Sequence, residues 1–219
     1  MTLQARLDAF KADFEAKAPA PAIEAFHRST RELIVSGIAK AALQAGQTAP
    51  EFSLNDPDGN LVSSGRLLAQ GPLVVTFYRG VWCPYCNLEL QALEEAAEEI
   101  RARGANLVAV SMQNASSSRK SQRENKLSFP ILTDKGGEVA EQFGLKWAVQ
   151  DYVIEFFKGF GVDLPAIHDD GAWNLPMPAR YVIAGDGTIQ YAEVNPDYTQ
   201  RPEPSDLFPV LERLARSAA

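Results

Sequence analysis

Val74-Val75-Thr76-Phe77-Tyr78-Arg79-Gly80-Val81-Trp82-Cys83-Pro84-Tyr85-Cys86 carries both cysteines of this 219-residue chain, two residues apart. The pair follows an apolar, strand-like run and opens a helix-like one. A helix start presents unpaired backbone N–H groups and the positive end of the macrodipole, which stabilise a thiolate there. The first thiol should therefore fall below the roughly 8.5 of a free cysteine, and the second is near enough to trap whatever forms on it. Pro84 suits the first helical turn, which argues against two inert thiols buried by chance. Structural zinc needs four ligands, and the remaining candidates, His27 and His168, are isolated and far apart in sequence. The segment reads as a redox site.

Working outward, Leu73–Tyr78 is a continuous apolar run of the kind buried on both faces of a parallel sheet. After the cysteines, Leu90, Leu93, Ala97 and Ile100 recur at helical steps, and Arg101, Arg103 and Gly104 supply a helix end. Asn106–Met112 and Phe129–Thr133 read as further strands. Ala115–Lys126 reads as a polar helix with a solvated face, and Glu138–Phe143 as a short helix stopped by Gly144. Upstream, Phe52–Leu54 and Leu61–Ser63 flank the turn 56–60 as a hairpin. That turn is no EF-hand loop, because Leu61 and Leu67 stand where Gly and Glu are needed. Downstream, Tyr181–Ala184 and Thr188–Val194 form a second hairpin around Gly185-Asp186-Gly187, and Ser205 is placed to cap a final helix.

Two segments stand apart from this alternation. Residues 1–45 read as an all-helical arm and 46–219 as the main domain. Leu3, Leu7, Phe10 and Phe14 make one stripe over residues 2–17. Ile23, Phe26, Leu33, Ile34 and Ile38 make another on a helix running to Ala45. These stripes must bury against the main domain or a second copy of the chain, so a homodimer stays open. In residues 145–178, Tyr152, Val153, Phe156, Phe157 and Phe160 form a helical aromatic cluster, suited to packing or to shaping a substrate pocket, followed by a loop to Trp173.

Strands alternating with helices, closed by a hairpin and a helix, make a three-layer α/β domain, in which chemistry sits beyond the carboxyl ends of the strands. Hydrophobic residues are 46% of the chain, ample for a core, and the net charge is −7. That charge speaks against nucleic acid or an anionic membrane surface as partner. No apolar run approaches a membrane span, and no apolar signal core opens the chain. A CxxC pair in a reducing cytosol is more plausibly catalytic than structural, so the expected location is cytoplasmic.

Gly46-Gln47-Thr48-Ala49-Pro50-Glu51-Phe52-Ser53-Leu54 resembles the opening strand of the redoxin, or AhpC/TSA, branch of thioredoxin-fold proteins. Phe77–Leu90 is similar to the active-site segment of bacterial peroxiredoxin-like proteins in that branch. Pro176-Met177-Pro178-Ala179-Arg180-Tyr181-Val182-Ile183 resembles the strand preceded by the fold's cis-proline, and Asn195–Pro204 resembles the same group's tail. The resemblance implies a thioredoxin-like three-layer α/β/α sandwich with an N-terminal helical extension. It implies thiol-dependent reduction of hydroperoxides, or alternatively of protein or glutathione disulfides. Cys83 would be the nucleophile and Cys86 the resolving thiol, with no cofactor and a thioredoxin-like or glutathione electron donor. Arg79, Trp82, Pro84 and Tyr85 would support the site, and Pro178, if its bond to Met177 is cis, would receive the substrate beside the cysteine pair. The chain departs from the peroxiredoxin pattern at three places. Thr76 stands where Pro is expected, Gly80 where Thr is expected, and Pro178 where a catalytic Arg is expected, although Arg79 and Arg180 are close in sequence.

Overall fold

A computed structural model describes residues 1–217. The elements, in chain order, are α1 (Leu3–Lys17), α2 (Ala20–Ser36), β1 (Ser53–Asn55), β2 (Leu61–Ser63), α3 (Ser64–Leu68), β3 (Leu73–Phe77), α4 (Pro84–Ala102), β4 (Asn106–Ser111) and α5 (Ala115–Asn125). They continue with β5 (Ile131–Thr133), α6 (Glu138–Gln142), β6 (Lys146–Ala148), α7 (Asp151–Gly159), α8 (Leu164–His168), β7 (Asn174–Pro176), β8 (Ala179–Ile183), β9 (Ile189–Val194) and α9 (Phe208–Ser217).

The central sheet runs β2-β1-β5-β4-β3-β8-β9. β3 is parallel to β4 and antiparallel to β8, and β4 is parallel to β5. Every residue of β3 is buried, as its unbroken apolar run requires. Val74 faces a core made with α4, α1 and α9, while Leu73, Val75 and Phe77 face a second core made with α3 and α6. This is the three-layer sandwich expected from the alternation, and the loop holding Cys83 leaves the carboxyl end of β3. No helix among the described residues is long and apolar enough to cross a membrane.

The arm lies on its own chain. Leu3 and Leu7 are buried in the same core as Leu90 and Leu93 of α4. The Glu203 carboxylate accepts from the N–H groups of Leu3 and Gln4 at 3.1 and 3.2 Å, placing negative charge at the start of α1. α2 packs on α7, where the Ser29 hydroxyl donates to Gln150 at 2.8 Å and the Tyr152 hydroxyl to Glu32 at 2.7 Å.

Several expectations need correction. α2 stops at Ser36, nine residues before Ala45, because Gly37 takes a left-handed conformation at φ 71° and its N–H closes on the Ile34 carbonyl. Ile34, expected on the apolar stripe, is 53% exposed. Ser205 does not cap the last helix. Pro204, with no N–H to satisfy and a preset φ, starts a 3₁₀ turn over Pro204–Leu207 that runs into α9. The loop to Trp173 contains α8, and β6 and β7 pair as a small separate sheet, both unforeseen. α5 has the expected solvated face, with Arg119, Lys120 and Arg123 exposed, but Ser118, Ser121 and Asn125 are buried, so its face toward the sheet is a polar core.

Candidate active site

Gly80 lets the loop after β3 turn sharply. At φ 139° it sits where a Cβ would lie 2.7 Å from the Trp82 indole nitrogen, so the indole folds back over the bare backbone. The buried Gln113 side chain holds this loop from below. Its carbonyl accepts from Val81 N–H at 2.8 Å, and its amide donates to the Tyr78 hydroxyl at 2.7 Å. The Asn87 amide closes the other side by donating to the Val81 carbonyl at 2.8 Å. Cys83 caps α4 with extended backbone, Pro84 follows it, and the Cys86 N–H points at the Cys83 sulfur at 3.4 Å.

Both thiols are free and buried. The Cys86 thiol donates to the Cys83 sulfur at 2.8 Å. Burial alone would raise Cys83. It is outweighed by that hydrogen bond, then by the charges of Arg79 and Arg201 and the Cys86 N–H, leaving Cys83 lowered to about 6. Cys86 is pushed well up by burial, by the proton it shares with Cys83 and by the Cys83 charge. Cys83 is thus the thiolate and Cys86 the proton-bearing neighbour.

The positive charges come from three buried arginines. Arg79 stacks at 4.1 Å on the Tyr198 ring and 4.7 Å on Trp82, and among the described residues it has no ion-pair partner. Arg201 and Arg180 share Glu89, with Nε of Arg201 at 2.6 Å from one oxygen and Arg180 at 2.8 Å from the other. Arg201 also reaches the Cys86 sulfur at 3.8 Å. Arg180 and Arg201 on one carboxylate leave a surplus positive charge, to which Arg79 adds its own, and a thiolate can offset it.

Cys83 opens onto a cavity of about 180 Å³ whose walls include Arg79, Trp82, Pro84 and Tyr85. Tyr85 packs edge-on against Phe10 and Tyr198. The structure therefore gathers five of the predicted site residues around this space, with Cys86 directly behind Cys83. Pro178 is different. It lines a smaller crevice of about 20 Å³ that shares Arg79 and Tyr198 with the cavity but does not include Cys83. The Met177–Pro178 bond is trans, as are all peptide bonds among the described residues, so the condition under which Pro178 would stand beside the cysteine pair is not met. Of the two arginines near the departures, Arg79 faces the cysteine cavity and Arg180 is held by Glu89.

Sequence reasoning missed Glu89, Arg201 and Tyr198. Glu89 had a readable signal, being the one carboxylate on the helical face that carries Cys86, Leu90 and Leu93. Arg201 and Tyr198 lie more than a hundred residues from the cysteines, and although they fall in the tail segment Asn195–Pro204, nothing in its sequence ties them to the thiols. Within the aromatic cluster, Val153 and Phe157 are buried in packing, while Phe157 and Phe160 also line the cavity.

The AhpC/TSA family model matches residues 45–192. Peroxiredoxin Q, chloroplastic, from Oryza sativa subsp. japonica is 32% identical over 174 residues, 79% of this chain and 68% of the relative. Peroxiredoxin Bcp from Escherichia coli (strain K12) is 29% identical over 117 residues, 53% of this chain and 74% of that one. In three dimensions the chain resembles the peroxidoxin BcpB of Mycobacterium tuberculosis, with a TM-score of 0.62 at 21% identity, covering 81% of this chain and 99% of that one. That likeness speaks to fold, and the sequence matches carry the family. A thioredoxin-fold sheet, a helix-capping cysteine at the end of β3 and a match over most of the chain agree: the protein belongs to the AhpC/TSA family and is peroxiredoxin-like.

Proposed function

We propose that the chain is a thiol peroxidase that reduces hydroperoxides through a Cys83–Cys86 dithiol–disulfide cycle. The observation that carries this reading is the Cys83 sulfur, lowered to about 6 by its surroundings and facing an open, aromatic-walled cavity beside a cation with no carboxylate partner. The Cys83 thiolate attacks the terminal oxygen of a hydroperoxide. The S–O bond forms as the O–O bond breaks, sulfur loses two electrons, and the leaving alkoxide or hydroxide takes a proton from solvent. Arg79 offsets the negative charge passing from sulfur to the leaving oxygen, which is where fixed charge lowers a barrier. Cys86 then attacks the sulfenic sulfur, releasing water and closing a disulfide. A thiol-based reductant, thioredoxin-like or glutathione, restores the pair by exchange.

Disulfide exchange on protein or glutathione substrates is the second reading, favoured by the two-residue spacing. Against it stands the burial of Cys83, only 1% exposed, which a small peroxide tolerates better than a protein disulfide does. The cycle fits a compartment that keeps both thiols reduced, such as the cytoplasm. We also read residues 1–45 as an accessory arm to a catalytic domain of residues 46–219, a division supported by the start of the family match at residue 45.

Intact mass spectrometry of two variants tests the chemistry. Cys83→Ser should consume no peroxide, whereas Cys86→Ser should consume about one equivalent and stop as a sulfenic acid, heavier by one oxygen. Mixed disulfides on Cys86→Ser, with peroxide reacting no faster than with a free thiol, would replace the peroxidase reading by disulfide exchange.

A further inference from the structure

Cys86 has a cation of its own. Arg201 brings one guanidinium nitrogen to 3.8 Å from the Cys86 sulfur, while its Nε holds a Glu89 oxygen at 2.6 Å. Both charged side chains are buried, and Arg180 takes the other Glu89 oxygen at 2.8 Å. Arg201 is also fixed from its own segment: Nη1 donates to the Gln200 carbonyl at 2.8 Å, and the backbone N–H donates to the Gln4 side chain at 3.0 Å. Arg201 does not line the cavity over Cys83, so a peroxide seated there meets Arg79 instead. The two steps of the cycle make opposite demands on Cys86. Before peroxide arrives it keeps its proton, held by burial, by the hydrogen bond to Cys83 and by the Cys83 charge, against the pull of Arg201 and, less strongly, Arg79. Oxidation of Cys83 to the sulfenic acid removes that charge and that sharing. Burial alone then opposes a Cys86 thiolate, and a fixed cation within hydrogen-bond reach favours it.

Resting on the peroxidase reading, we propose that Arg201 is a catalytic residue of disulfide closure, stabilising the negative charge that develops on the Cys86 sulfur as it attacks oxidised Cys83. In this step the S–S bond forms and the S–O bond of the sulfenic acid breaks. The bonding pair of the S–O bond leaves on oxygen, which takes the Cys86 proton and departs as water. Cys86 is thereby oxidised, and Cys83 is reduced from sulfenic acid to disulfide. Arg79 faces the first step and Arg201 the second. Glu89 aims Arg201 without cancelling it, because one carboxylate shared with Arg180 cannot neutralise two guanidinium groups.

Pre-reduced protein mixed with excess hydrogen peroxide, quenched in acid at set times and weighed intact tests this. The sulfenic form is heavier than the reduced protein by one oxygen, and the disulfide is lighter by two hydrogens. In Arg201→Gln the lifetime of the sulfenic form, relative to the time it takes to form, should lengthen about tenfold, the usual worth of a hydrogen bond to a charged group. Glu89 keeps Arg180 in that variant, so no buried carboxylate loses its counter-charge. Arg201→Lys keeps a charge beside Glu89 but has one nitrogen where the guanidinium gives separate ones to Glu89 and Cys86, so the lifetime should lengthen about threefold. An unchanged lifetime in either folded variant overturns the proposal. So does Arg201→Lys as slow as Arg201→Gln, because lost shape rather than lost charge would then be acting. Arg201→Lys retains the ion pair, so it decides even if Arg201→Gln fails to fold. Should wild-type Cys83 react with peroxide no faster than a free thiol, the peroxidase reading itself fails, an outcome distinct from a disulfide that closes without help from Arg201.

Discussion

Cys83 and Cys86 sit 2.8 Å apart in the same buried setting, yet they end with opposite acidities. Burial raises both, so what separates them is direction: the Cys86 thiol and N–H both point at the Cys83 sulfur, and no comparable pair of donors points back. Arg79 matters because its charge is not spent on a carboxylate, unlike those of Arg180 and Arg201, which share Glu89. Alkylation of reduced protein with iodoacetamide should label Cys83 first, with a rate that rises with pH to a midpoint near 6 and then levels off. Below the midpoint the thiolate fraction, and hence the rate, falls about tenfold per pH unit. Removing a positive charge disfavours the thiolate, so Arg79→Gln should move the midpoint upward by about one pH unit. Peptide mapping that finds Cys86 labelled first would reverse the assigned roles.

At the scale of elements, α1 is held by apolar burial and by its ends. Leu7 is fully buried against α4, and Glu203 meets the helix start. The Gln4 side chain accepts from Arg201 N–H at 3.0 Å and donates to the Thr199 carbonyl at 3.2 Å. It thereby braces the segment that delivers Tyr198 and Arg201 to the cysteines. Leu7→Ala should cost about 2–4 kcal/mol in urea unfolding, because the packed site cannot fully collapse around the deletion. A loss below about 1 kcal/mol would mean that α1 is only loosely seated. The stripe Leu3, Leu7, Phe10 and Phe14 was legible as one apolar face, and its spacing alone left its partner open. Only the packing against α4 and the aromatic cavity assigns it.

Over the whole molecule, arm and sheet share one core, since Leu3 and Leu7 cluster with residues of α4, β3 and α9. Such contiguity predicts a single cooperative transition. Urea unfolding followed by far-UV circular dichroism and by tryptophan fluorescence should give coincident midpoints, while two separated transitions would show an arm that folds on its own. Light scattering on a chain lacking residues 1–45 should find the mass unchanged and stability reduced if the arm's role is docking. A dimer that becomes a monomer would show instead that the arm holds a second copy.

Local chemistry was enough to read a cysteine pair at a helix start and much of the scaffold. An apolar run before Cys83, Pro84 after it and periodic leucines beyond are short-range signals, because strand burial, helix capping and amphipathic spacing act over a few residues. The same reasoning found both hairpins from their turns. It overran α2 because Gly37 stopped the helix before the apolar pattern ended, and it found the solvated face of α5 but missed the buried one, because serine and asparagine look alike on either. Tertiary structure decided which distant groups meet the thiols. Arg201 and Tyr198 arrive along a tail more than a hundred residues away, the phenylalanines arrive from the two N-terminal helices and from the α7 region, and Pro178 lands beyond Arg79. Electrostatic and packing energies depend on separation in space, and in this chain the separation in sequence says almost nothing about that.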